Sequence, residues 1–585
     1  MVRYFLLAPI SLFVFPATMV QAQTEQSLFL AYPPNNHTTT AAQIFFVGSA
    51  QSSAPVTLND RPVERSSLGY FAVTYPLQFG ENQFTFRYRD QTMTRTIIRK
   101  SNTPVLPATL GFATDSLTPA LPISRLPSEP ICFSAIAPAN SVVTVQLADQ
   151  KIALTPQDAT VQLPANNAVL NNANQPVPEP ITTYQGCGRF TQLGNLGSPN
   201  FQLQTANQAI AATGPGAVTI LDPNQPQVIE VTTNPGVART GPSTDHSRLT
   251  PLPQGTQASV TGTEGDWLRL DYGGWIKASE TRTLTRKTAP QSLIRSINYR
   301  QTPNATEIIF PLQNPVPISV KQDPNKLSLT LYNTVAQTDT IRLDNDPIIQ
   351  QLNWQALPQN QIRYNFYFKS PQQWGYDLRY EGSSLILTLR YPPTLTTDQN
   401  SLQGAVILLD PGHGGTEPGA IGPNGYPEKA INLLISQKLA QLLQQRGATV
   451  YLTRDRDVTV SLPERVNQIN TIKPHIALSI HYNSLPDGGD PIKTKGVSTF
   501  WYQPQSQDLA NFLQSYLVKA LNRPSYGVYW NNLALARPHT APAVLLELGF
   551  MINPQEFEWI TNPQEQERLV EAIADGITQW FHQQS

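Results

Sequence analysis

Only two of the 585 residues are cysteines, Cys132 and Cys187, too few for a metal site of their own. Charge is also scarce. Asp, Glu, Lys and Arg make up 14% of the chain and the formal net charge is -1. That argues against a nucleic-acid binder and against a polybasic membrane-surface protein. Beyond the first 22 residues no stretch approaches the roughly 18 consecutive apolar residues that span a bilayer. Histidine is rare, with seven in all, so each can be weighed singly.

Length and proline are plentiful. A chain of 585 residues exceeds what one core supports, so several domains are expected. Most of the 52 prolines precede residue 400, which suggests short strands, turns and stiff linkers there. Met1-Val2-Arg3, the apolar run from Tyr4 to Val20 and the small-residue site at Ala22 have the form of a secretory signal peptide, 1–22. Cleavage after Ala22 is expected, an uncleaved anchor being the alternative. The mature protein is then exported, to periplasm or cell wall, with no transmembrane segment.

Residues 23–100 read as short strands: Ile44-Phe45-Phe46-Val47, Val56-Thr57-Leu58, Tyr70-Phe71-Ala72-Val73 and Gln83-Phe84-Thr85-Phe86, with turns at Asn59-Asp60 and Gly80-Glu81-Asn82. The pattern resembles the small Ig-like modules of bacterial envelope proteins. A Pro/Ser/Thr-rich connector, 101–129, leads to a second β-module, 130–216, with an Asn/Pro/Gln-rich insertion near 156–180. Both cysteines fall in it, and in an exported chain one structural disulfide is the default. Residues 217–285 hold Gly265-Asp266-Trp267-Leu268-Arg269-Leu270 and Gly274-Trp275-Ile276 and resemble a bacterial SH3-like domain. At least one of the two tryptophans is expected simply to pack the barrel. Residues 286–393 carry Ile308-Ile309-Phe310, Leu327-Ser328-Leu329-Thr330-Leu331 and Leu385-Ile386-Leu387-Thr388-Leu389 and are similar to the AMIN targeting domain of wall amidases. A polar linker, 394–403, ends this half.

From 404 to 585 strands alternate with helices. Strands are predicted at 405–409, 449–453, 475–480, 497–502 and 543–548. A helix follows the first strand, with Ile431, Leu434, Ile435, Leu439, Leu442 and Leu443 at helical spacing and Gly447 at its end. Another is expected near 564–581. The fold class is therefore multidomain: several all-β modules, then a C-terminal α/β domain with a mostly parallel or mixed sheet and helices on both faces.

Four residues in this domain carry chemistry. His413 follows the first strand in Asp410-Pro411-Gly412-His413, Glu428 opens the first helix, His481 ends the third strand, and Glu547 lies inside the apolar run Val544-Leu545-Leu546-Glu547-Leu548. Two histidines and a carboxylate are a common catalytic zinc set. A further carboxylate supplies a general base. Singly, each has a plainer reading. Glu428 could serve its helix dipole, His481 could be a bonded core histidine, and Glu547 could pair with Arg454 or Arg465. His475 is at a strand entry, and His37, His246 and His582 lie in other modules or at the terminus.

The segments Asp410-Pro411-Gly412-His413-Gly414-Gly415, Glu428-Lys429, Leu452-Thr453-Arg454, Ser479-Ile480-His481 and Pro542 to Phe550 resemble the zinc-dependent N-acetylmuramoyl-L-alanine amidases over about 404–582. The resemblance implies one zinc ion on His413, Glu428 and His481, with Glu547 catalytic. Asn483, His539 and Arg454 are read as substrate contacts. Tyr482 and the pair Pro474-His475 depart from the family pattern and put substrate detail in doubt. Peptidoglycan is the implied partner; no activator can be named. A zinc peptidase cutting within the stem peptide and a catalytically inert wall-binding protein are the alternatives. The chain between His481 and Val497 is short, so no helical plug over the site is expected.

Overall fold

Residues 27–51, 54–101, 104–157, 161–162, 177–178, 182–338 and 341–584 are described by the computed structural model. The signal-like segment 1–22 and most of the 156–180 insertion lie outside the described residues. In the first module the strand Gln43–Ser49 is buried along nearly its whole length. It does not alternate because both its faces are covered. Ile44 and Phe46 pack into the module's own core with Phe71, Phe84 and Phe86. Phe45 and Val47 pack instead with Ala72 on Leu485, Phe550 and Ile552 of the C-terminal domain.

The second module is a six-stranded antiparallel sheet in which Pro130–Ala137 pairs with Thr182–Arg189. Cys132 stands opposite Cys187 in that pairing and the two are joined, Cα to Cα 4.0 Å. Thiol labelling of the unreduced, denatured protein is expected to modify neither cysteine. Labelling of both would remove the disulfide.

The 101–129 stretch is more than a connector. Ile123–Arg125 forms a strand beside Val218–Ile220 and Thr263-Glu264, and Arg125 pairs with Glu264 at 2.8 Å. Three residues are too few to display a periodicity, which is why this strand does not show in the sequence. In the 217–285 region Ile229, Leu252, Ala258, Leu270 and Ile276 form a small core. Trp267 and Trp275 are both buried, so both serve packing. Residues 298–390 form two four-stranded antiparallel sheets around Phe310, Leu329, Tyr364, Phe366 and Leu387.

The C-terminal domain, numbered from its own start, runs β1 (Val406–Pro411), α1 (Glu428–Gln445), β2 (Thr449–Leu452), α2 (Leu462–Ile472), β3 (Ile476–Asn483), β4 (Val497–Trp501), α3 (Gln507–Leu521), β5 (Ser525–Trp530), β6 (Ala543–Phe550), α4 (Pro554–Thr561) and α5 (Pro563–Gln583). The sheet order is β2-β1-β3-β6-β4-β5. The first four strands are parallel; β4 runs antiparallel to β6. Ile407 and Leu409 join the cluster of Ile431, Leu439, Leu513 and Ile573 from α1, α3 and α5. Leu408, pointing the other way, packs with Ile469 of α2. Among the described residues no helix is long and apolar enough to cross a membrane.

Candidate metal centre

The parallel strands deliver their carboxyl ends to one edge of the sheet, where open α/β sheets build their sites. β1 ends there, and the chain turns sharply with His413 at φ 59°. Gly412 is required at this turn. A Cβ on it would lie 2.2 Å from the His481 ring. Glu428 is the first residue of α1 and only 3% exposed. Its Oε2 lies 3.2 Å from His413 Nε2 and its Oε1 3.1 Å from His481 Nδ1. The imidazoles are nearly perpendicular, with centroids 4.9 Å apart. One ligand-type atom from each of the three residues lies within 4.8 Å of the others.

Glu428 is also held by the protein. It accepts from the Ala420 N–H at 2.8 Å, the Asn432 amide at 3.0 Å and the Tyr482 N–H at 3.0 Å. Burial alone would raise its pKa, but the two imidazoles outweigh that and hold the carboxyl well below the usual range. No Lys or Arg is paired with it among the described residues. A buried carboxylate that two imidazoles face, with no cationic side chain on it, is a donor set suited to a divalent ion.

Glu547 sits on β6 beside His481 in register. Its residue is partly exposed, but its Oε2 is buried and has no hydrogen-bond partner among the described residues. Burial, and then the Glu428 charge, push its pKa up well above the ordinary carboxylate value. Neither Arg454 nor Arg465 pairs with it.

Both arginines work beneath the turn. Arg465 is bonded to Asp410 at 2.6 Å and donates to the carbonyls of Pro411 and His413. Thr453 and Ser479 donate to the same Asp410 carboxylate. Arg454, expected to touch substrate, is instead buried and donates to the carbonyls of Pro411, Gly412 and Lys429. Its guanidinium props the His413 loop. Sequence reading missed Asp410, Thr453, Arg465 and Ser479 as a network; the only signal was that Asp410 and Ser479 lie within three residues of the two histidines. Arg465→Met is expected to destabilise the domain by about 3–5 kcal/mol, since it strands a buried Asp410. Equilibrium denaturation of the variant checks this, and a loss below about 1 kcal/mol contradicts the network's role.

Asn483 ends β3 beside the site, its Nδ2 buried and without a partner among the described residues. His539 is elsewhere. Its ring packs on Tyr376 of the preceding module, 4.7 Å between centroids. Residues 484–496 hold turns and no helix. They are braced by the first module, where His37 and Tyr32 bond Asp487 and Gln43 donates to the Gly488 carbonyl.

Two histidines and a glutamate thus converge at the carboxyl edge of a mixed α/β sheet, in a group that could hold a metal ion, with a second glutamate in register beside them. Residues 407–579 match the model of the Amidase_3 family, described as N-acetylmuramoyl-L-alanine amidase. The probable cell wall amidase LytH of Staphylococcus epidermidis is 34% identical over 195 residues, 33% of this chain and 64% of that protein. LytH of Staphylococcus aureus is 35% identical over 188 residues, 32% of this chain and 62% of its own. The match thus spans a little under two thirds of these curated relatives. The catalytic domain of CwlV, an N-acetylmuramoyl-L-alanine amidase from Bacillus (Paenibacillus) polymyxa var. colistinus, is 32% identical and matches 30% of this chain and 98% of that domain, with a TM-score of 0.29.

Proposed function

We propose that this chain is a peptidoglycan hydrolase, an N-acetylmuramoyl-L-alanine amidase that cuts the amide between the lactyl group of muramic acid and L-alanine of the stem peptide. The observation that carries the reading is the convergence of His413, Glu428 and His481 on one point, with Glu547 in register beside them. The family match over 407–579 supports it.

His413, Glu428 and His481 would hold one zinc ion. When bound, zinc supplies Lewis acidity, polarising a carbonyl and making a water acidic near neutral pH. The chain's own residues do the rest. The Asp410–Arg465 pair and Arg454 fix the backbone that carries His413. Glu547, with its buried, unpartnered Oε2, accepts a proton from the attacking water. It then returns that proton to the departing alanine nitrogen, so the amide is replaced by a lactyl carboxylate and a free amine. Asn483 offers an N–H to a substrate carbonyl.

In this reading the domain is a sheet covered by helices on both faces, a layering that the opposite packing of Leu408 and Leu409 supports. The protein is exported, and the Ig-like, SH3-like and AMIN-like modules place it on the wall. The site is open, and control lies in placement. Reaction of digested peptidoglycan with an amine-specific label is expected to reveal new amino-terminal alanine. New amino termini on other residues would favour a peptidase, and none at all an inert binding protein.

A further inference from the structure

A second cleft, of about 510 Å³, separates the 217–285 module from the α2 side of the C-terminal domain. None of His413, Glu428, His481, Asn483 or Glu547 lines it. Arg248 enters from the module and Arg537 from the loop before β6. Both are half-buried. Among the described residues neither makes an ion pair or side-chain hydrogen bond, and no Asp or Glu lines the cleft. The one carboxylate whose charge is felt by Arg248 is Glu280, which is held by the Val237 N–H at 2.6 Å. Burial, Arg248 and the buried Arg239 behind it together pull the Arg537 pKa down to about 10.

Two guanidiniums facing one cleft without a counter-charge carry both a desolvation and a repulsion cost. An anion between them removes both, with charge-assisted hydrogen bonds in return. The remaining walls say which anion. Leu249, Pro463 and Val466 give small apolar contacts, and Asn467 and Gln503 present amides. Apolar walls beside amides suit a peptide; a phosphate polymer would use the guanidiniums and amides but leave the apolar walls without a partner.

We propose that this cleft binds the two carboxylates of a short peptide, a stem-peptide segment of the wall, at a site separate from the metal centre. The identity of the peptide rests on the amidase reading; the cleft's preference for carboxylate and amide does not. Binding here would hold the enzyme on its polymer while the metal centre works on another bond.

The test is calorimetric titration of the full-length protein with synthetic L-Ala-γ-D-Glu-L-Lys-D-Ala, with the same peptide amidated at its carboxylates, and with inorganic phosphate. The carboxylate peptide is expected to bind and the amidated one to bind about tenfold or more weakly. Arg537→Glu is expected to abolish binding while raising Tm, because the new carboxylate pairs with Arg248. A merely misfolded variant would lower Tm. Arg248→Ala provides the second variant, with a loss of about tenfold or more. His413→Ala is expected to bind the peptide as the wild type does. Unchanged affinity in both arginine variants, or loss of binding in His413→Ala, overturns the proposal. Phosphate binding as tight as the peptide overturns it in favour of a phosphate site. Failure to hydrolyse peptidoglycan would sink the amidase reading and leave these binding results readable on their own.

Discussion

Glu547→Gln is expected to keep the fold and the bound metal and to slow peptidoglycan cleavage by about 10² to 10⁴-fold, the usual contribution of a general base. Glutamine is isosteric, so the strand β6 and its neighbours Leu546 and Leu548 should pack as before. The amide cannot take a proton at the position of Oε2, the atom that has no partner in the structure. A thermal melt and a metal assay of the variant separate this outcome from misfolding. Cleavage at the wild-type rate would make Glu547 structural. The plainer reading of Glu547, an ion pair with Arg454 or Arg465, already lacks support, since both arginines are engaged beneath the His413 loop.

The second large effect is loss of the metal itself. In the His413→Ala/His481→Ala double variant, zinc content is expected to fall from about one ion per chain to background, and activity with it. Glu428 alone cannot hold the ion, and its carboxylate already accepts three hydrogen bonds from the protein. Elemental analysis of the purified full-length variant against the wild type gives the answer. Zinc retained at the wild-type level would place the metal elsewhere. Chelation of the wild type should likewise abolish activity, with recovery on adding zinc.

The C-terminal domain was largely legible in the sequence because its strands are continuous apolar runs and its long helices have a regular apolar stripe. The expected strands at 405–409, 449–453, 475–480, 497–502 and 543–548 overlap β1, β2, β3, β4 and β6. α2, α4 and β5 were not anticipated. α2 buries only Arg465 and Ile469, so its stripe is too thin to register. β5, Ser525–Trp530, sits at the sheet edge with no fully buried residue, so neither alternation nor a buried run marks it. The three candidate ligands come together as expected. What the sequence could not show is contact between residues far apart in the chain. The Asp410–Arg465 pair spans 55 residues. Phe45 and Val47 of the first module touch Phe550, some five hundred residues on. Arg454 was expected at substrate because it lies within a motif, yet its side chain bonds backbone carbonyls beneath the turn, while His539 packs on Tyr376 and lines the second cleft rather than the metal centre.

Which bond is cut is tested most directly by mass spectrometry of purified peptidoglycan fragments after digestion by the full-length protein. Free stem peptides beginning with alanine are expected, together with glycan that bears an intact lactyl carboxylate, and neither product with Glu547→Gln. Peptides cleaved internally while the lactyl amide stays intact would contradict the amidase reading.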